Sequence, residues 1–237
     1  MAYYDKIAKR WNEITGYKGG VFKELVLNDI LIKKFPVIAN ISILELGAGN
    51  GYFLPLALRR FSGQVPAKIT VTDQSVQLLE IAKRNFKINN AVYQMLDVSK
   101  PFPFKNDEFN LIIATMIFNE VNAYTFKNAL KECCRVLSSP GTLLITVTHP
   151  DFITGLQNQG LLKPLQQEFF TMPSSGDLRL PVVVRPLENY RISLQEAGFE
   201  FTETEVHPTD KVLNIKQGLR HSAKSPIALV FTCKKRG

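Results

Sequence analysis

At 237 residues, 45% hydrophobic and 21% charged, the chain has the composition of an ordinary globular protein with room for one sizeable core. No apolar run approaches the length that spans a bilayer, and the first residues, Met1 to Lys6, lack the apolar core of a secretory signal, so no membrane partner and a cytoplasmic location are expected. Cys133, Cys134 and Cys233 form neither a disulfide framework nor a metal-ligand pattern, so no metal is expected.

The first 40 residues form an aromatic-bearing arm with helical patterning at Asp5 to Thr15 and at Val21 to Phe35. From Ile41 onward, β-branched apolar runs alternate with helical periods. Strands are expected at Ser42 to Leu46, Lys68 to Thr72, Val92 to Leu96, Leu111 to Thr115, Thr142 to Thr148, Phe199 to His207 and Ile227 to Lys234. Helices are expected at Tyr52 to Phe61, Ser75 to Asn89, Tyr124 to Leu137 and Leu187 to Ala197. Pro55 falls in the first turn of its helix, where a missing N–H costs little, and Ser138-Ser139-Pro140-Gly141 stops one helix before the next strand.

This alternation implies an α/β fold whose mostly parallel sheet is covered on both faces, with the last two strands pairing antiparallel as a long hairpin. The stretch from Asp151 to Pro186, interrupted by Gly155, Gly160, Pro164, Pro173, Gly176 and Pro181, reads as a long loop. Loops of that length are commonly functional, and with the arm it is a candidate lid over a substrate pocket.

The most informative run is Glu45-Leu46-Gly47-Ala48-Gly49-Asn50-Gly51, directly behind Ile41-Ser42-Ile43-Leu44. It reads as a strand emptying into a turn whose glycines let the backbone approach a ligand. The spacing is Gly-x-Gly-x-Gly, and Tyr52 stands where a dinucleotide fingerprint needs its third glycine. A pyrophosphate is therefore disfavoured, and the Glu45 carboxylate suits an ammonium group better than a phosphate. Open parallel sheets bind ligands at the carboxyl ends of their strands. The second strand ends at Asp73, roughly 25 residues beyond the turn, where a carboxylate can accept from both hydroxyls of a ribose or else cap the helix that follows.

On these residues the chain resembles the class I S-adenosylmethionine-dependent methyltransferases of the small-molecule type. The motif headed by Glu45 and the run Asp73-Gln74-Ser75, followed by Leu78-Leu79 and Ala82, are similar to the family's first two motifs. The resemblance implies a Rossmann-like seven-stranded sheet with the last strand antiparallel, in a single domain. That domain divides into a helical arm (1–40), a cofactor-binding core (41–150), an inserted lid segment (151–186) and the C-terminal part of the sheet (187–237). It implies S-adenosyl-L-methionine as cofactor and S-adenosyl-L-homocysteine as product, with Glu45, Gly47, Ala48, Gly49, Gly51, Asp73 and Gln74 at the cofactor. Asp97 and Val98 would meet the adenine, and Thr115 would lie along the methionine moiety.

Asn110 stands where relatives usually carry Asp, keeping an acceptor without the charge, and Asn119 replaces a frequent His. Both leave open a cofactor-binding protein on the same fold that does no chemistry. His149, just past the fifth strand and before Pro150, is the candidate base, with loop capping or substrate orientation as its other uses. Tyr4, Trp11 and Asn119 are the candidates to shape the acceptor site.

Methyl transfer from a sulfonium needs alignment rather than a nucleophilic side chain, so the absence of a triad is no objection. A small organic acceptor is expected. Net charge gives the alternative: of the overall +8, Lys211 to Gly237 contributes seven basic residues and no acidic one, which suits RNA such as tRNA.

Overall fold

The computed structural model describes residues 3–36, 40–61, 66–166, 168–173, 178–215 and 225–236. Its strands are β1 (Ser42–Leu46), β2 (Lys68–Asp73), β3 (Ala91–Met95), β4 (Phe109–Thr115), β5 (Leu137–Thr148), β6 (Lys163–Gln166), β7 (Phe169–Pro173), β8 (Arg179–Val183), β9 (Phe199–Val206) and β10 (Ala228–Lys235). Its helices are α1 (Tyr3–Thr15), α2 (Asn28–Lys34), α3 (Phe53–Leu58), α4 (Val76–Asn85), α5 (Ala123–Val136), α6 (Pro150–Asn158), α7 (Leu187–Glu196) and α8 (Asp210–Ile215).

Seven strands form one sheet in the order β3-β2-β1-β4-β5-β10-β9. The first five are parallel, and β10 runs antiparallel between β5 and β9. The central strands are apolar because both faces are covered. Leu44 and Leu46 of β1 pack with Phe126, Leu130, Tyr190 and Leu194 from α5 and α7, whereas Ile43 joins Leu31, Phe53, Leu54 and Leu79 from α2, α3 and α4.

Local chemistry fixes the helix starts. Ser75 Oγ accepts from Leu78 N at 3.1 Å and Asn122 Oδ1 from Thr125 N at 2.8 Å, so each satisfies a first-turn donor. Asn110 Oδ1 accepts from Ser42 N at 2.9 Å while its Nδ2 donates to Ser138 Oγ at 3.0 Å. An amide does both, tying β4 to the starts of β1 and β5, whereas a carboxylate has no donor for the serine.

Several expectations shift. The helix foreseen over Val21 to Phe35 is a π-helical segment, Lys23–Leu27, running into α2. The α4 period stops at Asn85, where Phe86 leaves helical geometry at φ −135°. Ser138 to Gly141 lie inside β5 rather than in a turn, because the β4 register shifts between Phe109 and Leu111 and takes up the extra residues. A short helix, α8, intervenes between β9 and β10.

The largest difference is in the segment 151–186, which is not a plain loop. It holds α6 and a second, antiparallel sheet in the order β6-β7-β8. Arg179 binds that sheet together, donating to Thr171 Oγ1 at 3.0 Å, Thr171 O at 2.7 Å and Leu161 O at 2.6 Å. All three cysteines are free, and no group of His, Cys, Asp and Glu fit to hold a metal occurs among the described residues. No described helix is long and apolar enough to cross a membrane.

Of the basic C-terminal segment, only part lies among the described residues. Lys216, Arg220 and Lys224 lie outside the described residues. Lys234 Nζ donates to Thr142 Oγ1 at 2.5 Å, and Lys235 Nζ donates to Asp107 Oδ1 at 2.6 Å and to Leu137 O at 2.9 Å. Both therefore sit at the start of β5, the end of the sheet away from the glycine turn.

Candidate functional site

A cavity of about 630 Å³ opens at the carboxyl ends of β1, β2 and β4, within the range of small-molecule sites. Its floor is the glycine turn, and its roof is α1. Polar contacts from several of its residues hold that roof. Tyr4 Oη donates to Glu120 Oε1 at 2.6 Å, Ser75 Oγ donates to Asp5 Oδ1 at 2.6 Å, and Asn50 Nδ2 and Asn85 Nδ2 both donate to Asn12 Oδ1 at 3.0 Å. Trp11 packs edge-on against Tyr4, and the Lys23 ammonium lies over the rings of Trp11 and Tyr52 at 6.0 and 5.5 Å.

Asp73 organises the floor. Its Oδ2 accepts from Gly49 N and its Oδ1 from Ser75 N, both at 2.8 Å, so it locks the turn to the end of β2 while Ser75, not Asp73, caps α4. Gly49 has φ +60°, and a Cβ there would fill the gap to Trp11 Nε1, 3.4 Å away. The turn thus takes a backbone conformation that favours glycine, with Trp11 close above it.

Of the residues expected at the cofactor or the acceptor, Gly47, Ala48, Gly49, Asp73, Gln74, Val98, Thr115, Tyr4, Trp11 and Asn119 all line the cavity. Glu45, Gly51, Asp97 and His149 do not. Gly51, at φ +80°, faces α4, where a Cβ would come within 2.6 Å of Ala82 Cβ; its role is to let the helix pack closely. Asp97 closes a turn, its Oδ1 accepting from Ser99 N at 2.9 Å, and presents its neighbours Leu96 and Val98 to the cavity.

His149 is a correction to the expected base. Pro150 begins α6, which makes His149 the residue before the helix, and its Nδ1 turns back to accept from Asp151 N at 3.2 Å. The side chain is 2% exposed, and burial holds its pKa below the ordinary value, so the ring is a neutral cap away from the cavity.

Asn119 bridges two strand ends. Its Oδ1 accepts from Thr148 N at 2.9 Å and its Nδ2 donates to Thr148 Oγ1 at 3.2 Å, pinning the segment after β4 to the end of β5. Three further side chains matter that motif reasoning missed. Glu120 and Lys23 face the cavity. Arg185 is buried behind it, donating to Phe118 O at 2.7 Å and Val121 O at 2.6 Å, with its guanidinium over Phe126 and Tyr190.

Burial dominates the electrostatics. Glu45 and Glu120 are both pushed up to about 8, Glu45 further by the charge on Asp73, and Lys23 is pushed down to about 8. Both Glu45 oxygens are buried without a donor. A carboxyl whose pKa is higher folded than unfolded contributes stability below its unfolded value of about 4.5, and that contribution is lost as pH rises through about 8. Calorimetric melting of the unliganded protein is therefore expected to weaken from pH 6 to pH 9, and Glu45→Gln is expected to flatten part of that slope. An unchanged slope would mean that Glu45 is ionised throughout.

Residues 43–141 match the methyltransferase domain family model. A malonyl-[acyl-carrier protein] O-methyltransferase from Buchnera aphidicola is 29% identical over 126 residues, covering 52% of this chain and 47% of that protein. An uncharacterised Haemophilus influenzae protein is 27% identical over 143 residues, covering 58% and 53%, so the chain spans about half the length of the curated relatives it matches.

Solved structures share the fold. A Listeria monocytogenes protein, provisionally assigned to the S-adenosylmethionine-dependent methyltransferases, superposes with a TM-score of 0.71 at 20% identity, over 88% of this chain and 96% of its own. A Haemonchus contortus phosphoethanolamine N-methyltransferase in complex with S-adenosyl-L-methionine gives 0.67 at 16% identity, over 99% and 58%. The strand order, the glycine turn and the methyltransferase domain matched over residues 43–141 agree, so the chain shares the fold of the S-adenosylmethionine-dependent methyltransferases and carries a segment similar to their domain.

Proposed function

We propose that this chain transfers a methyl group from S-adenosyl-L-methionine to a small organic acceptor, and that the cavity under α1 holds both. The observation that carries this reading is the cradle itself: a glycine turn locked by Asp73, open beneath Trp11, with the unpartnered Glu45 carboxylate behind it. The cofactor supplies a methyl group already activated on a sulfonium. The chain's own work is to place it.

Asp73 keeps lone pairs for ribose hydroxyls, and its backbone partners fix their direction. Leu96 and Val98, on either side of Asp97, offer apolar walls for the adenine ring. Glu45 sits two residues before Gly47 and outside the cavity lining, and an ammonium group at the turn would favour its ionised form, which burial otherwise disfavours. Thr115 and the pinned Asn119 lie toward the acceptor side, and α1 keeps water out. Alignment of this kind is worth roughly 7 to 11 kcal/mol without any nucleophilic side chain.

Calorimetry with S-adenosyl-L-methionine, followed by incubation with methyl-labelled cofactor and cell extract, tests the proposal. Acylated carrier protein belongs in that extract because the Buchnera relative is named for such an acceptor. The expected result is one cofactor per chain and label in a small molecule. Label in RNA, with affinity that falls steeply with salt, would favour the nucleic-acid alternative. Binding with no labelled product from any extract would favour a cofactor-binding protein without chemistry.

A further inference from the structure

Beyond the cradle the same cavity continues into a chamber with a different character. Its walls are Phe152 and Leu156 of α6, Leu161, Met172 of β7, Leu180 of β8, and Ile227. None of these six carries a polar side chain. The second sheet and α6 therefore build an apolar compartment onto the cofactor site. The same cavity is also lined by Lys23, Tyr4 and Glu120. Lys23 is held over the rings of Trp11 and Tyr52, and Tyr4 spends its hydroxyl proton on Glu120 Oε1.

Glu120 Oε2 faces the cavity with no protein donor among the described residues. Burial disfavours the ionised form of Glu120 in the free protein, and a donor brought to Oε2 would favour that form by supplying a charge-assisted hydrogen bond. A carboxylate head would instead meet Glu120 and Asp73, offset only by Lys23, whose charged form burial disfavours. We infer that the acceptor is an amphiphile, an aliphatic chain seated in the chamber with a terminal hydroxyl or amine donating to Glu120 Oε2. This rests on the methyltransferase reading and names the acceptor class for that same cavity.

The single tryptophan of the chain, Trp11, lines the cavity and reports its occupancy by fluorescence. The protein is first saturated with S-adenosyl-L-homocysteine and then titrated with 1-butanol, 1-hexanol, 1-decanol, decylamine and decanoate, with equilibrium dialysis as a second readout. Affinity is expected to rise up to about fourfold per methylene from butanol to decanol, the gain from burying one CH₂. Decanol and decylamine are expected to bind at least tenfold more tightly than decanoate, the size of one charge-assisted hydrogen bond. Glu120→Gln should lose that preference while keeping the chain-length dependence. Leu161→Glu, at an exposed wall position, should lose the chain-length dependence while keeping the preference for the head.

Decanoate binding most tightly, or affinity independent of chain length in a protein that still takes up S-adenosyl-L-homocysteine, would overturn the acceptor assignment alone. Failure to take up S-adenosyl-L-homocysteine would remove the reading beneath it.

Discussion

Asp73→Ala is expected to weaken S-adenosyl-L-methionine binding at least tenfold, and up to several hundredfold, while the sheet and α4 remain folded. The lower bound is the loss of one charge-assisted hydrogen bond and the upper bound the loss of two, each at about 1.5 to 1.8 kcal/mol, the low end for such bonds. The structure adds a second contribution. The alanine also releases Gly49 N and Ser75 N, so the turn loses the partner that fixes its shape before any ligand arrives.

Stability is expected to change far less, because Ser75 Oγ continues to cap α4 through Leu78 N. Asp73→Asn should fall between wild type and alanine. One amide oxygen can serve Gly49 or Ser75 but not both, and the NH₂ group faces an N–H donor on the other side. Isothermal titration of the three proteins, with thermal melting as a fold control, decides this. Equal affinity for wild type and alanine would remove Asp73 from the cofactor site.

Arg185→Ala is expected to have the largest effect on the fold. The guanidinium, 4% exposed, serves the carbonyls of Phe118 and Val121 and lies 4.5 Å from the Phe126 ring centre and 5.0 Å from that of Tyr190. Truncation leaves two buried acceptors unsatisfied and a hole between two aromatic rings. Each effect costs about 1 to 3 kcal/mol, so a loss of about 3 to 5 kcal/mol and a fall in Tm on the order of 10 °C are expected.

Cofactor binding should weaken with it. The carbonyls that Arg185 holds flank Asn119 and Glu120, and Met116, at φ +61°, begins the same segment. Arg185→Lys should recover only part of the stability, since one ammonium cannot reach two carbonyls and stack on two rings at once. Chemical denaturation of the two variants measures both effects. A loss under 1 kcal/mol for alanine would show that water replaces the guanidinium.

The sheet was legible because burial on both faces writes itself into the sequence. The β1 bounds at Ser42 and Leu46 coincide with expectation, since an apolar run meets a glycine that must turn. The second sheet was not legible. Pro164, Pro173 and Pro181 read as interruptions, yet Pro164 and Pro181 lie in the edge strands β6 and β8 and Pro173 is the last residue of β7, and β6 to β8 exist only because each finds a partner elsewhere in the segment.

The site divides in the same way. Gly49 and Asp73 were found through their spacing, which is local. Glu120, Lys23 and Arg185 were missed because a lone charge has no pattern until the fold brings it to a cavity or between two rings. A signal for His149 was present and pointed elsewhere: a residue before a proline that opens a helix is placed to cap it, which is where its Nδ1 is found. Gly51 was read as a ligand contact, but the third glycine of the turn serves helix packing against Ala82.

The central claim is that the space between the glycine turn and α1 accepts an adenosyl amino acid and not a dinucleotide. Isothermal titration of the intact protein with S-adenosyl-L-homocysteine and with NAD, in parallel, measures it most directly. One equivalent of S-adenosyl-L-homocysteine bound with micromolar affinity, and no heat from NAD, is the result expected; saturable binding of NAD with none of S-adenosyl-L-homocysteine would contradict it.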